Sequence, residues 1–253
     1  MILHPNVKLN LGLYVLERRV DGYHNLETLF IPYSGIADEL EILPSEEFSI
    51  SIEKEGGADW DPQQDLCAKA WRLLRDEYGI PAVSIRLVKN APVGAGLGGG
   101  SSDAAFTLRA LNDLFSLGLP AERLAACAAR LGSDCAFFVY NTPMLGSGRG
   151  EILEPFDIDL SGYEIRVAVP AGVAVSTREA YSGIVPAIPQ IPLREALSRG
   201  VREWKDCLFN DFEKTVFPLH PQIAELKEKF YAEGAVYAAM SGSGSAVFGI
   251  FEK

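Results

Sequence analysis

Residues 6–16 alternate apolar and polar positions, with Val7, Leu9, Leu11 and Leu13 on one side, and this period of two predicts a strand. Phe48, Ile50 and Ile52 alternate in the same way, as do Val83, Ile85 and Leu87. Between these two strands the period changes. Leu66, Ala70, Leu73 and Leu74 follow the spacing of one helical face over 65–78. Ala104, Leu108, Leu111 and Phe115 repeat at i, i+4, i+7 and i+11, predicting a helix that starts at Ser101–Asp103. Pro120 opens a second helix and Gly132 closes it, the order that proline's fixed φ and glycine's freedom favour. Residues 141–151 and the Pro- and Gly-rich 183–193 read as loops, and 163–169 as strand. Ile223, Leu226 and Phe230 mark a late helix stopped by Gly234, and two strands then flank Ser241–Ser245.

A chain of 253 residues can bury a sizeable core as one large domain or two smaller ones. No segment approaches the roughly 18 consecutive apolar residues of a membrane span. Lys8 and Asn10 interrupt the first apolar run and no basic stretch precedes it, so no signal peptide and a cytoplasmic location are expected. Cys67, Cys127, Cys135 and Cys207 are scattered without a CxxC pair, which predicts reduced, mostly buried thiols. His4, His24 and His220 have too few partners for a zinc site, and no structural metal is expected. The net charge of −11 argues against broad binding of nucleic acid, which needs a basic face. It also means that any phosphate ligand must find local positive potential in backbone amides and a few chosen lysines or arginines.

The segment with the clearest chemistry is Pro92–Ser102, PVGAGLGGGSS. Five of the seven residues from Gly94 to Gly100 are glycine, between a predicted strand and a predicted helix. Glycines admit positive φ and remove the Cβ atoms that keep a ligand from the backbone. Successive amides can then converge on an anion, aided by the partial positive charge of the helix N-terminus. Ser101 and Ser102 add hydroxyls for binding or capping. A tight turn with a serine cap is the simpler alternative, but a turn needs fewer glycines. The P-loop pattern fails because its lysine position is Gly100. The dinucleotide pattern G-x-G-x-x-G matches at Gly94, Gly96 and Gly99, yet the expected acidic residue at the end of a second strand is missing from LGLPAERL.

The loop, with its Pro-x-Gly-x-Gly-Leu-Gly form opening a helix, resembles the signature of the GHMP kinase superfamily. The similarity continues through Lys8–Phe30 with its DGYH, through Leu131–Phe138 (LGSDCAFF), Gly148–Leu153, Asn210–Glu213 (NDFE) and Met240–Gly249 (MSGSGSAVFG). These blocks span nearly the whole chain. The resemblance implies an α+β protein of two domains with the active site in the cleft between them. The expected domains are an ATP-binding 1–155 and a ferredoxin-like α/β sandwich at 156–253. DGYH and GLGGGSSDAA point to the branch that uses ATP to phosphorylate the tertiary 2-hydroxyl of a cytidyl diphosphate polyol, on the non-mevalonate route to isoprenoid precursors. A kinase of mevalonate, homoserine or a sugar, and a non-catalytic nucleotide-binding module on the same fold, remain open beside it.

By the same resemblance, Pro92, Val93, Gly94, Ala95, Gly96, Leu97, Gly98, Gly99, Gly100, Ser101 and Ser102 hold ATP. Lys8 and Asp134 form the catalytic pair: Asp134 accepts or orients the hydroxyl proton, while Lys8 keeps the carboxylate ionised and polarises the nucleophile. Asp134 read as a turn or cap residue, and Lys8 as a solvated strand lysine, are the plain alternatives. Asn10, two residues along the strand from Lys8, is expected to bind the polyol. His24, Tyr23 and Tyr181 are expected at the cytosine, by hydrogen bonding and stacking, with Ser176 and Thr177 as further substrate contacts. Gly242 and Gly244 belong to the family's third motif, which shapes the active-site side of the phosphate loop. Asp65 stands where an asparagine is expected near the adenine. Mg²⁺ is expected with ATP, with Ser102 as the candidate ligand. A small-molecule substrate, neither nucleic acid nor membrane as partner, and a monomer or homodimer complete the expectations.

Overall fold

In the computed structural model, which describes residues 1–253, a short strand β1 (Ile2–Leu3) precedes the long strand β2 (Asn6–Arg18). The alternation of β2 is the cause of its burial: Val7, Leu9, Leu11, Leu13 and Val15 are all buried. There follow β3 (His24–Ala37), β4 (Glu39–Pro44), β5 (Ser49–Lys54), α1 (Leu66–Tyr78), β6 (Val83–Lys89), α2 (Gly99–Leu114), α3 (Ala121–Ala129) and α4 (Cys135–Tyr140). The rest comprises β7 (Met144–Ser147), β8 (Ile152–Pro155), β9 (Tyr163–Ala168), α5 (Thr177–Tyr181), α6 (Leu193–Ser198), the single turns α7 (Trp204–Cys207) and α8 (Glu213–Val216), α9 (Pro221–Ala232), β10 (Tyr237–Met240) and β11 (Val247–Glu252).

Three local expectations need correction. The glycine-loop helix starts at Gly99, two residues before Ser101: Gly98, at φ 73°, takes the N-cap and accepts the first helical bond from the Ser102 N–H. α3 ends at Ala129, short of Gly132. The stretch 141–151 is not all loop, because Met144–Gly146 pairs antiparallel with Thr28–Phe30. That pairing is long-range, and local composition carries no sign of it.

The chain divides into two compact units. The first holds Met1–Lys8, Pro32–Val93 and Gly98–Thr142, and the second Leu9–Ile31, Gly94–Leu97 and Pro143–Lys253. In the first, a sheet of order β1-β4-β6-β5 is antiparallel except at β5–β6, and α2 packs against α1, α3 and α4. In the second, the antiparallel sheet β10-β11-β9 is covered by α9. Its core gathers Leu13, Phe212, Val216, Ile223, Met240 and Val247. A further sheet has the order β2-β3-β7-β8. All four cysteines are buried, where burial raises the thiol pKa and keeps them unreactive.

In β6 the inward positions Val83, Ile85 and Leu87 are followed, in the same phase, by Lys89, which is buried. A dry ammonium must be paired. Lys89 Nζ contacts Asp38 Oδ2 and lies 2.5 Å from Asp103 Oδ2. Burial pulls the Lys89 pKa down, but Asp103 and Asp38 together outweigh it, and the ammonium is held above its ordinary value. Burial pushes the Asp103 carboxyl well above the usual carboxylate range. The other Asp38 oxygen accepts hydrogen bonds from the Asn90 and Ala91 amides, at 2.6 and 2.7 Å. Removing the shared cation leaves two buried acids facing each other. Lys89→Met is therefore expected to lose about 3–5 kcal/mol of stability in urea unfolding at neutral pH. A loss below about 1 kcal/mol would show that the triad is peripheral to folding.

Candidate active site

The glycine-rich segment leaves β6 at Asn90–Ala91, whose amides Asp38 fixes, and runs through Pro92 and Val93. In the first unit it resumes at Gly98. A Cβ there would lie 3.1 Å from the Phe138 ring and 3.2 Å from Lys8 Cγ, so glycine is required by space as well as by its positive φ. The N–H groups of Gly99, Gly100 and Ser101 open α2 without partners inside the helix, and Gly100 faces open space. This is the positive, amide-rich helix end that an anion needs. Ser102 Oγ is fully buried and has no hydrogen-bond partner in the protein.

Beside this helix end sits the pair expected from the sequence. Lys8 Nζ lies 3.8 Å from Asp134 Oδ2; the lysine side chain is 4% exposed and the carboxylate 34%. Asp134 occupies the N-cap position of α4, yet makes no side-chain capping bond. The plain reading of Asp134 as a cap residue is thus half right: it has the place and not the bond, which leaves the carboxylate for other work. Burial lowers the Lys8 pKa below its ordinary 10.5, and the attraction and hydrogen bonding of Asp134 recover only part of that shift. A buried cation next to a more accessible carboxylate sets positive charge beside the oxygen that an approaching hydroxyl would meet. Ser101, in the first turn of α2, lies near the thiol of Cys135, the residue after Asp134.

The second unit holds the residues expected at the base. The rings of His24 and Tyr181 stack with centroids 4.8 Å apart and planes at 19°. At that separation no base fits between them, so a base must meet the pair from outside. Tyr181 is itself steadied edge-on by Phe212, at 4.7 Å. Burial, and then the Arg18 charge, lower the His24 pKa, so near neutral pH the imidazole is uncharged and offers one donor and one acceptor. Tyr23 is 56% exposed, with the Arg149 guanidinium 4.9 Å above its ring. Arg149 escapes the sequence reading because its loop lies far from Tyr23 along the chain. Ser176 accepts the Glu179 N–H at 3.1 Å as the N-cap of α5, and Thr177 begins that helix on the surface. Asn10 is 2% exposed and gives its amide N–H to Thr28 Oγ1 at 2.9 Å. In the same unit Gly94 faces open space, while Gly96 lies against Ser241 and Gly244.

Asp65, the departure from the expected asparagine, is engaged locally. One oxygen caps α1 through the Cys67 N–H at 2.8 Å, and the other accepts from the Trp60 indole at 3.0 Å. A carboxylate suits that double acceptor role, because neither task needs a donor.

Comparison with known proteins gives these features a context. Residues 65–142 match the GHMP kinases N terminal domain, and residues 193–253 the GHMP kinases C terminal domain. A 4-diphosphocytidyl-2-C-methyl-D-erythritol kinase of Bacteroides fragilis is 50% identical over 99% of this chain and 92% of that relative. The crystal structure of a 4-(cytidine 5'-diphospho)-2C-methyl-D-erythritol kinase superposes with a TM-score of 0.83 at 35% identity, covering 99% of this chain and 90% of the other. A homoserine kinase of Cytophaga hutchinsonii shares the fold at 18% identity and a TM-score of 0.68, over 98% of this chain and 85% of its own.

The contacts at Gly98 make one substitution decisive. Gly98→Ala forces a side chain into positive φ, at about 1–2 kcal/mol, and into the Lys8 stem and Phe138 ring. It is expected to weaken ATP binding by about tenfold or more in calorimetry, against a smaller loss of fold stability. Unchanged affinity would detach the helix end from the phosphates.

Proposed function

The chain belongs to the GHMP kinases and, among them, to the 4-diphosphocytidyl-2-C-methyl-D-erythritol kinases, and on that footing we propose that it transfers the γ-phosphoryl group of ATP to the 2-hydroxyl of 4-diphosphocytidyl-2-C-methyl-D-erythritol, releasing ADP. The observation that carries this reading is the buried Lys8 facing an uncapped, partly exposed Asp134 beside the glycine N-cap of α2.

The chemistry divides among these groups. The free amides of Gly99, Gly100 and Ser101 hold phosphate oxygens, and the glycine loop as a whole lets the backbone approach them. Asp134 orients the 2-hydroxyl and takes its proton as the bond to phosphorus forms. In a loose transition state that transfer is late, so Asp134 acts first as an orienting acceptor. Lys8 stabilises negative charge building on the attacking oxygen. Ser102 Oγ, buried without a protein partner, is a hard oxygen of the kind Mg²⁺ takes, and we assign it as this chain's contribution to a metal otherwise held by phosphate and water. Held there with ATP, Mg²⁺ would supply positive charge to offset the negative charge of the phosphates.

At the other end of the substrate, neutral His24 reads the polar edge of cytosine, and the Tyr181 and Tyr23 rings supply stacking faces. Arg149, held over Tyr23, places a cation beside the base, suited to the diphosphate that follows it. Asn10, Ser176 and Thr177 contact the polyol and ribose hydroxyls. The protein acts on small molecules in the cytoplasm; no helix is long and apolar enough to cross a membrane.

The deciding experiment is a substrate panel with a coupled ADP readout. ATP consumption is expected with the cytidyl polyol and not with mevalonate or homoserine; equal turnover on either would sink the assignment. Asp134→Asn is expected to lower kcat by about 10²-fold or more while ATP affinity stays within about threefold. The pH profile tests Lys8 separately. The folded pKa lies below 10.5, so the required cation is lost as pH rises through the lowered value. The alkaline limb of kcat/KM should therefore fall below pH 10.5, and a limb at or above it would exclude buried Lys8 as its source.

A further inference from the structure

Asn210, which is buried, and Glu213, which is partly buried, take no part in the phosphoryl transfer. Asn210 is 2% exposed, and three hydrogen bonds use both its N–H groups and its carbonyl. Its N–H groups donate to the Met240 and Gly242 carbonyls, each at 2.8 Å, and its side-chain oxygen accepts from the Phe212 N–H at 3.0 Å. Glu213 takes the opposite side of the same residue: one oxygen accepts from the Met240 N–H at 2.9 Å, and the other from Lys227 at 2.6 Å. Met240 is thereby held by its N–H and by its carbonyl from one short segment.

The clamp matters because of what leans on the next turn. Ser241 donates its hydroxyl to the Gly96 carbonyl at 3.2 Å, and the Ala246 N–H donates to the Ala95 carbonyl at 3.0 Å. Gly96, at φ 76°, comes so close that a Cβ there would lie 2.2 Å from the Ser241 carbonyl oxygen. Residues 94–97 thus take their shape from the turn at 241–246, and Asn210 sets that turn through Gly242.

We propose that Asn210 is a positioning residue for ATP: its carboxamide fixes Met240–Ala246, and that segment carries the Gly94–Leu97 leg of the phosphate loop. Asn210 touches no reacting atom; it acts through backbone carbonyls. The proposal rests on the reading of the chain as a kinase, and the test separates the two.

Asn210→Asp keeps the shape and the acceptor for Phe212 but replaces two donors with an anion facing two carbonyl oxygens. The expected result is a rise of about tenfold or more in KM for ATP, with KM for the cytidyl polyol within about twofold. Ser241→Ala removes only the bond to Gly96 and is expected to raise KM for ATP about threefold, again selectively. Val216→Ala, a core truncation in the same unit, is the control: it lowers Tm and leaves both KM values unchanged. Binding of adenylyl imidodiphosphate by calorimetry should follow the ATP KM in each variant. That readout needs no turnover, so it reports on the clamp even if the cytidyl polyol proves not to be the substrate. If Asn210→Asp fails to fold, Ser241→Ala alone decides. Unchanged ATP parameters in the folded variants, or equal changes for both substrates that scale with Tm as in Val216→Ala, overturn the proposal.

Discussion

A lysine ammonium inside a protein must be surrounded by acceptors, and Lys89 obtains them from two places at once. Asp38 comes from the turn between β3 and β4, and Asp103 from the first turns of α2. The end of β6, the turn before β4 and the start of α2 are therefore tied at one point. The second Asp38 oxygen adds the amides of Asn90 and Ala91, so the exit from the strand is fixed to the same place. What lies between, the run from Pro92 to Gly98, is a loop with both ends pinned in the first unit. The glycines give it freedom of shape, and the triad withdraws freedom of position. A buried ionic cluster is weak as a source of stability and strong as a registration device, which is the role this one fills.

The chain carries a net charge of −11, and a kinase must nevertheless hold a triphosphate. Positive potential comes in small, placed quantities: amides at the head of α2, one buried lysine at Asp134 and, among the residues expected at the base, an arginine held over Tyr23. None is a basic patch. Each charge is set where low dielectric or a ring face strengthens it, and the acidic remainder of the surface does not offset it at contact range.

Most of the periodic structure is legible in the sequence, and so is the loop. Lys89 is legible too, once its phase is noticed: it sits two residues after Leu87 in a run whose alternate members are buried. Its partners are not, because Asp38 in GIADELEI looks like any surface acid until the fold closes around it. β7 is hidden by the loop-like composition of its stretch, since it exists by pairing with Thr28–Phe30. The true start of α2 at Gly99 is obscured because glycine reads locally as a helix breaker, whereas here the two glycines fill a first turn where no side chain is wanted. Lys8 and Asp134 are found through motif similarity and cannot be joined by spacing, being 126 residues apart. Arg149 and Asn210 share that character: their residue types are visible, but the contacts that define them cross long stretches of chain.

Burying Lys8 has a consequence for how this protein can change over time. A lysine whose pKa falls on folding opposes folding wherever it must stay charged, an opposition present below the folded pKa and relieved as pH climbs towards the unfolded value. An apolar side chain of similar length at position 8 would escape it, provided Asp134 kept its contact with solvent. A screen that rewards heat resistance alone would therefore discard Lys8, and thermal ranking of natural or engineered variants would run against catalytic ranking at this one site.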